Sequence, residues 1–244
     1  MSQPSQTPAI RHAMVLAAGL GTRMRPITDT LPKPLIEVAG KALIDYIFDY
    51  CRAGGVDEAV VNVHYRADQM EAHLRAITAP RITVSDERAG LLDSGGGVKK
   101  ALPHLGQGPF FILNADAIWV DGPTPSLQRL RDHWDPASMD ILMLLAHSST
   151  ATGWGNRGDF DMDQNGRLRR AGKSEITPFV YAGAGIWSPE LFEARPDVFS
   201  LNALFDEAAE KGRLHGLRLD GTWMHVGTPD AIPEAEAAIR RSAL

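Results

Sequence analysis

The chain has 244 residues, 44% of them hydrophobic and 23% charged, with a formal net charge of −5 at pH 7. That acidity argues against broad electrostatic binding of nucleic acid or an anionic membrane surface, and no apolar run approaches the roughly 18 residues that span a bilayer. A lone cysteine, Cys51, excludes an internal disulfide and a multi-cysteine zinc cluster, so a reduced, cytoplasmic setting is expected.

Residues 1–11 are polar and proline-containing, carry no apolar signal core, and read as a flexible N-terminal tail. Residues 12–244 are expected to form a single domain. "AMVLAAG" (13–19) is the first strand candidate, followed by a helix whose apolar face is Leu43, Ile44, Ile47, Phe48 and Cys51. "AVVNVHY" (59–65), a second helix face at Met70, Leu74 and Ile77, then "ITVSDE" (82–87), "PFFILNAD" (109–116) and "MDILMLLAH" (139–147) continue the alternation. Continuous apolar strands separated by helices imply an α/β fold with a Rossmann-like, mostly parallel mixed sheet flanked by helices. The second half changes character. "GDFDMDQNGRLRRAG" (158–172) reads as a hairpin turning at Asn165-Gly166, and "FVYAGAGIW" (179–187) as a strand before a helix start at Ser188-Pro189-Glu190. "LHGLRL" (214–219) is a further strand, and residues 229–241 read as a closing helix. This half is expected as a smaller portion over the carboxyl edge of the sheet.

The chemistry begins in "MVLAAGLGTRMRPITDTLPKPL" (14–35). Gly19-Leu20-Gly21-Thr22-Arg23-Met24 lacks the third glycine of a dinucleotide fingerprint and the Gly-Lys-Ser/Thr ending of a P-loop. Its glycines nevertheless allow backbone amides to approach an anion closely. Arg23 follows at once, and prolines on both sides hold Lys33 in a stiff segment. Two cations beside a glycine turn suit a triphosphate better than a single carboxylate.

"LAAGLGTRMRPITDTLPKPL" resembles the signature of the sugar-1-phosphate nucleotidylyltransferases, and the resemblance extends over residues 13–240. Within the family the chain is most similar to the N-acetylmuramate-1-phosphate uridylyltransferases and the mannose-1-phosphate guanylyltransferase-like members. The resemblance implies that a nucleoside triphosphate and a sugar 1-phosphate react to give a nucleoside-diphosphate sugar and pyrophosphate. It places Leu16, Ala17, Ala18, Gly19, Gly21, Thr22 and Arg23 on the nucleotide, with Arg23 at the departing phosphates and Lys33 at the α-phosphate or the sugar phosphate. Asp116 in "LNADA" would hold Mg²⁺, with Mn²⁺ as an alternative; Asn114 would orient the same edge. Arg25 fits the same electrostatics with no direction readable. "ERAGLLDSGGGVKKAL" (87–102) resembles the base-recognition loop, with Leu92, Gly95 and Gly96 as its contacts and a helix beginning at Ser94 or Gly95. In the short uridylyltransferases this loop runs Glu-Arg, two or three residues, then Leu-Leu-Glu-Thr-Gly-Gly, a pattern that favours UTP here. Lys173 and Glu175, with Asn156 and Gly158, would serve the sugar phosphate.

One position departs from the family. A Trp-x-Asp-x-Gly-Thr pattern supplies its second metal carboxylate, whereas "TWMHVGT" puts His225 there. Magnesium prefers oxygen ligands, which leaves three outcomes: one carboxylate suffices, His225 holds a softer ion, or His225 bonds a phosphate. The expected assembly is a monomer or weak dimer. The competing readings are GTP with mannose 1-phosphate and, from another class, a nucleotide-sugar sensor that does not turn over.

Overall fold

Along β1 (His12–Leu16), Ala13 and Val15 face one apolar cluster and Met14 faces another. A strand buried on both sides must be apolar throughout, which is why "AMVL" shows no alternation. The computed structural model describes residues 10–155, 157–172 and 174–242. Residues 1–9 of the expected tail, Asn156 and Lys173 therefore lie outside the described residues.

The first half follows the expected order. A short ribbon, β2 (Glu37–Val38) and β3 (Lys41–Ala42), leads into α1 (Leu43–Ala53), β4 (Glu58–Val63), α2 (Ala67–Leu74) and β5 (Arg81–Asp86). Next come α3 (Asp93–Ala101), β6 (Phe110–Asn114), β7 (Ala117–Asp121), α4 (Ser126–His133) and β8 (Ile141–His147). The second half adds β9 (Phe160–Met162), β10 (Leu168–Arg170), β11 (Phe179–Trp187), α5 (Glu190–Glu193), α6 (Asn202–Glu210), β12 (Leu214–Arg218), β13 (Gly221–His225) and α7 (Ala231–Ser242). The hairpin at Asn165-Gly166 is present as β9–β10, with Gly166 at φ +80°.

Strands β5, β4, β1 and β6 form a parallel block in that order, and β11 joins β6 antiparallel. β8 and β9 pair with β11, and β12 runs parallel to β8. Parallel pairing thus dominates the first half, while the second half extends the sheet itself as well as reaching its carboxyl edge. Leu127 and Leu130 of α4 join the α1 and α2 side chains on one face; Val98 of α3, Phe192 of α5 and Leu204 of α6 cover the other.

Two features aim at the carboxyl edge. β1 lies between β4 and β6, so the chain leaves it in one direction and returns on its other side, the switch point at which open α/β sheets bind ligands. The β7–β13 ribbon stands off the main sheet, its register opposing His225 to Ala117. It is held by a third cluster in which Ile118, Met224 and Val226 meet Met24, Ile36 and Ala235. No helix among the described residues is long and apolar enough to cross a membrane.

Candidate active site

The glycine turn sits where β1 ends. Gly21 has φ +64°, and a Cβ there would lie 2.9 Å from Thr28 Cγ2 and 3.1 Å from Lys33 Cβ. Only glycine accepts that backbone at that spacing without strain. The Thr28 hydroxyl donates to the Gly21 carbonyl at 2.9 Å, fastening the turn to the segment that carries Lys33. Buried Met24 anchors the short 3₁₀ turn Thr22–Met24 and leaves Arg23 exposed. Arg25 pairs with Asp29, four residues on, at 3.4 Å.

Lys33 opens a further 3₁₀ turn after extended Pro32, with Pro34 buried. Its Nζ donates to Asp116 Oδ2 at 2.7 Å, with the two side chains 13% and 29% exposed. Asp116 lies between β6 and β7, where Ala115 N–H donates to the Leu16 carbonyl and Val226 N–H to the Asp116 carbonyl. Burial alone would raise the Asp116 pKa, yet Lys33, His225 and Arg23 outweigh it and hold the carboxyl below its ordinary value. Its other oxygen, Oδ1, accepts no hydrogen bond among the described residues.

This centre borders a cleft of about 290 Å³ whose walls come from both glycine-rich segments. Leu16, Ala17, Ala18 and Gly19 line one side, Leu91, Asp93 and Ser94 another, with Asn62, Asn114, Asp116 and Lys33 at the base. Of the sequence-predicted base-loop residues, Leu92 is half-buried at this wall, and Gly95 and Gly96 are buried away from the cleft. The reason is packing: a Cβ on Gly95 would lie 2.4 Å from the Phe199 ring, and one on Gly96 2.1 Å from the Asp197 carbonyl. The amides of both glycines donate to the Phe199 carbonyl. These glycines admit the 197–199 segment, and α3 begins at Asp93 (φ +60°), one residue before the expected start.

A second cavity of about 400 Å³ is lined by Arg23, Trp154, Arg157, Gly158, Asp159 and His225, among others. Gly158 is required there, since a Cβ would meet the Thr177 carbonyl at 2.1 Å. Burial raises the Asp159 pKa. Glu175 is engaged elsewhere: it accepts from Arg169 and from the Gly172 amide, which hold its carboxyl down at about 2. Asn114 lies beside the β11 bulge, where Gly183 (φ +83°) leaves room for it.

The His225 ring stacks on Trp223 (5.9 Å between centroids, 24°) and meets Trp154 edge-on at 5.0 Å. Burial lowers its pKa more than Asp116 raises it, with Lys33 and Arg23 adding to the lowering. Among the described residues its Nε2 is buried without a hydrogen-bond partner and lies against Gly227, where a Cβ would come within 2.5 Å. Trp223 was read only as part of the "TWMHVGT" motif, and Trp154 was not singled out. Nor was Asn62, although a polar residue inside "AVVNVHY" is a readable signal.

The signature of the nucleotidyl transferase family matches residues 12–242. The chain belongs to that family. This nucleotidyl transferase is 48% identical to an N-acetylmuramate alpha-1-phosphate uridylyltransferase of Caulobacter vibrioides, over 96% of this chain and 98% of that one. It is 33% identical to a protein of the same description from Neisseria meningitidis serogroup B, over 92% and 96% of the two chains. In three dimensions it is similar to a UDP-glucose pyrophosphorylase complexed with UDP-glucose, with a TM-score of 0.76 at 18% identity over 96% of this chain and 99% of that one. The expected α/β nucleotidyltransferase fold is thereby borne out.

Proposed function

We propose that the protein transfers the uridylyl group of UTP to N-acetylmuramate α-1-phosphate, releasing pyrophosphate. The observation that carries this reading is the 48% identity to the Caulobacter uridylyltransferase over nearly the whole of both chains. The site's geometry supports the reaction type: a lysine and a carboxylate meet at 2.7 Å at the switch point, between two glycine-rich segments.

In this reading a phosphate oxygen of the sugar phosphate attacks the α-phosphorus of UTP. The bond from that phosphorus to the bridging oxygen breaks, and pyrophosphate leaves opposite the attacking oxygen. The nucleophile is already ionised at neutral pH, so no general base is assigned. Lys33 neutralises charge where the two phosphates converge, and exposed Arg23 serves the departing pyrophosphate. The turn from Leu16 to Thr22 supplies backbone to the phosphates. Asn114 and Gly158 belong to the sugar side, as do Asn156 and Lys173 in the sequence pattern.

The donor set suits a hard cation held by one protein carboxylate. Among the described residues no three His, Cys, Asp or Glu side chains gather to hold a metal. Among these residues Asp116 presents an oxygen free of hydrogen bonds, and Mg²⁺ characteristically completes its shell with phosphate oxygens and water. When bound, Mg²⁺ would neutralise phosphate charge at the α-phosphorus; Mn²⁺ would use the same oxygens. His225 packs against the two tryptophans and lines the same cavity as Arg23.

Pyrophosphate release measured across a panel of nucleoside triphosphates and sugar 1-phosphates tests the proposal. Preference for UTP with N-acetylmuramate α-1-phosphate is expected. Preference for GTP with mannose 1-phosphate would overturn the substrate assignment, and nucleotide binding without pyrophosphate from any pair would overturn the enzyme reading.

A further inference from the structure

Asn62 and Glu87 are 3% and 1% exposed, yet each makes its polar contacts toward a different glycine-rich segment. Asn62 is on β4 and pairs in register with Ser85 of β5; the Glu87 amide extends that ladder by donating to the Val63 carbonyl at 2.8 Å. Side chains two apart share a strand face, so Ser85 and Glu87 both accompany Asn62 on the side covered by α3.

Three hydrogen bonds then run in series. The Ala17 amide donates to Asn62 Oδ1 at 2.7 Å, Asn62 Nδ2 donates to Glu87 Oε1 at 2.8 Å, and the Leu92 amide donates to Glu87 Oε2 at 3.3 Å. Ala17 belongs to the first glycine-rich segment and Leu92 immediately precedes α3 in the second. A carboxylate only accepts, so it fixes which end of the Asn62 amide faces it and leaves Oδ1 for Ala17. Gly97 sits directly over the junction: a Cβ there would be 2.8 Å from both Asn62 Nδ2 and Glu87 Oε1. No Lys, Arg or His bonds the Glu87 carboxylate among the described residues; its partners are neutral amides.

Burying a carboxylate against neutral donors alone is costly, and an apolar pair would fill the space more cheaply. What the carboxylate adds is a polarity that a neutral pair lacks, imposed on two loops that must face one ligand. We propose that Glu87 is a positioning residue, acting through Asn62 to hold the phosphate-side and base-side loops at the spacing a nucleotide requires. The inference rests on the reading of the cleft as the nucleotide site. Glu87 stands behind the cleft wall while Asn62 lines it, so Glu87 acts without touching the ligand.

Glu87→Gln tests this. The isostere keeps its volume but offers one acceptor oxygen to two donors, so one of the two bonds is lost. The Kd for UTP by calorimetry and the KM for UTP should rise about tenfold, the effect of one buried hydrogen bond. The KM for the sugar phosphate and kcat at saturating UTP should stay within about twofold. Hydrogen exchange in the nucleotide-free protein should speed up in residues 14–20 and 89–97 together. Gly97→Ala, which wedges the pair apart from the side of α3, should move the same quantities in the same direction and stands in should Glu87→Gln not fold. An unchanged UTP Kd, or UTP and sugar-phosphate KM rising together, would overturn the proposal. Failure of the unsubstituted protein to bind UTP would overturn the nucleotide reading instead, and the exchange measurement, which needs no ligand, would still judge the pair.

Discussion

Replacing Lys33 by methionine removes the charge from the Lys33–Asp116 pair while keeping most of the stem. At 2.7 Å the pair's Coulomb attraction is about 6 kcal/mol at an effective dielectric constant near 20. Desolvation of both groups offsets much of this, and breaking a fully buried pair costs about 3–5 kcal/mol. Asp116 is 29% exposed, so water replaces part of the lost contact, and a destabilisation of about 2 kcal/mol at pH 7 is expected. The pH dependence carries the sharper test. Asp116 is held below its ordinary pKa, so the stabilisation is fully present above the unfolded-state value and is lost as pH falls through the folded-state value. The deficit of Lys33→Met should therefore be largest at neutral pH and shrink as pH falls from neutral to below the ordinary carboxylate range. Urea unfolding of both proteins across that range measures it, alongside a fall in kcat/KM of about 10²–10³ if Lys33 stabilises transferring charge. A deficit that stays flat with pH, or activity within tenfold of the parent, would refute the reasoning.

Asp116→Asn should abolish pyrophosphate release while leaving the circular dichroism spectrum unchanged, and should remove Mn²⁺ binding seen by electron paramagnetic resonance in the presence of UTP. Gly21→Ala forces a left-handed backbone on a side chain that would press on Thr28 and Lys33; about 1–2 kcal/mol of stability should be lost in thermal melts, with a higher KM for UTP. Cys51 is fully buried, and burial pushes its thiol up to about 12. It should resist a thiol-specific disulfide reagent at pH 8 in the native protein and react stoichiometrically in urea.

Much of the first half was legible because helix and strand periods are local. The faces at Leu43, Ile47 and Cys51 and at Met70 and Leu74 follow from 3.6-residue spacing, and "FVYAGAGIW" has the bounds of β11. Ile77 falls beyond the end of α2. The β7–β13 ribbon escaped because "AIWVD" follows β6 after only two residues and "GTWMH" reads as a motif before it reads as a strand. The packing of the α3 glycines was not legible either. The sequence places them in the base loop, and what their small size admits in the fold is Phe199 and Asp197, from about a hundred residues away.

By itself the sequence determined the parallel α/β core, the glycine turn with its two cations, and Asp116 at the end of an apolar strand. Each of these is written in short-range pattern: strand and helix periods, proline-held segments, a carboxylate just past a hydrophobic run. Only the tertiary structure decided that Lys33 meets Asp116 across 83 positions, that Asn62 joins Ala17 to Glu87, and that His225 is enclosed by Trp154 and Trp223 with its Nε2 against Gly227. Those contacts depend on sheet order and on the register between strands distant in the chain. A shift of one residue turns every side chain to the opposite face, and no local pattern records which register the packed core selects.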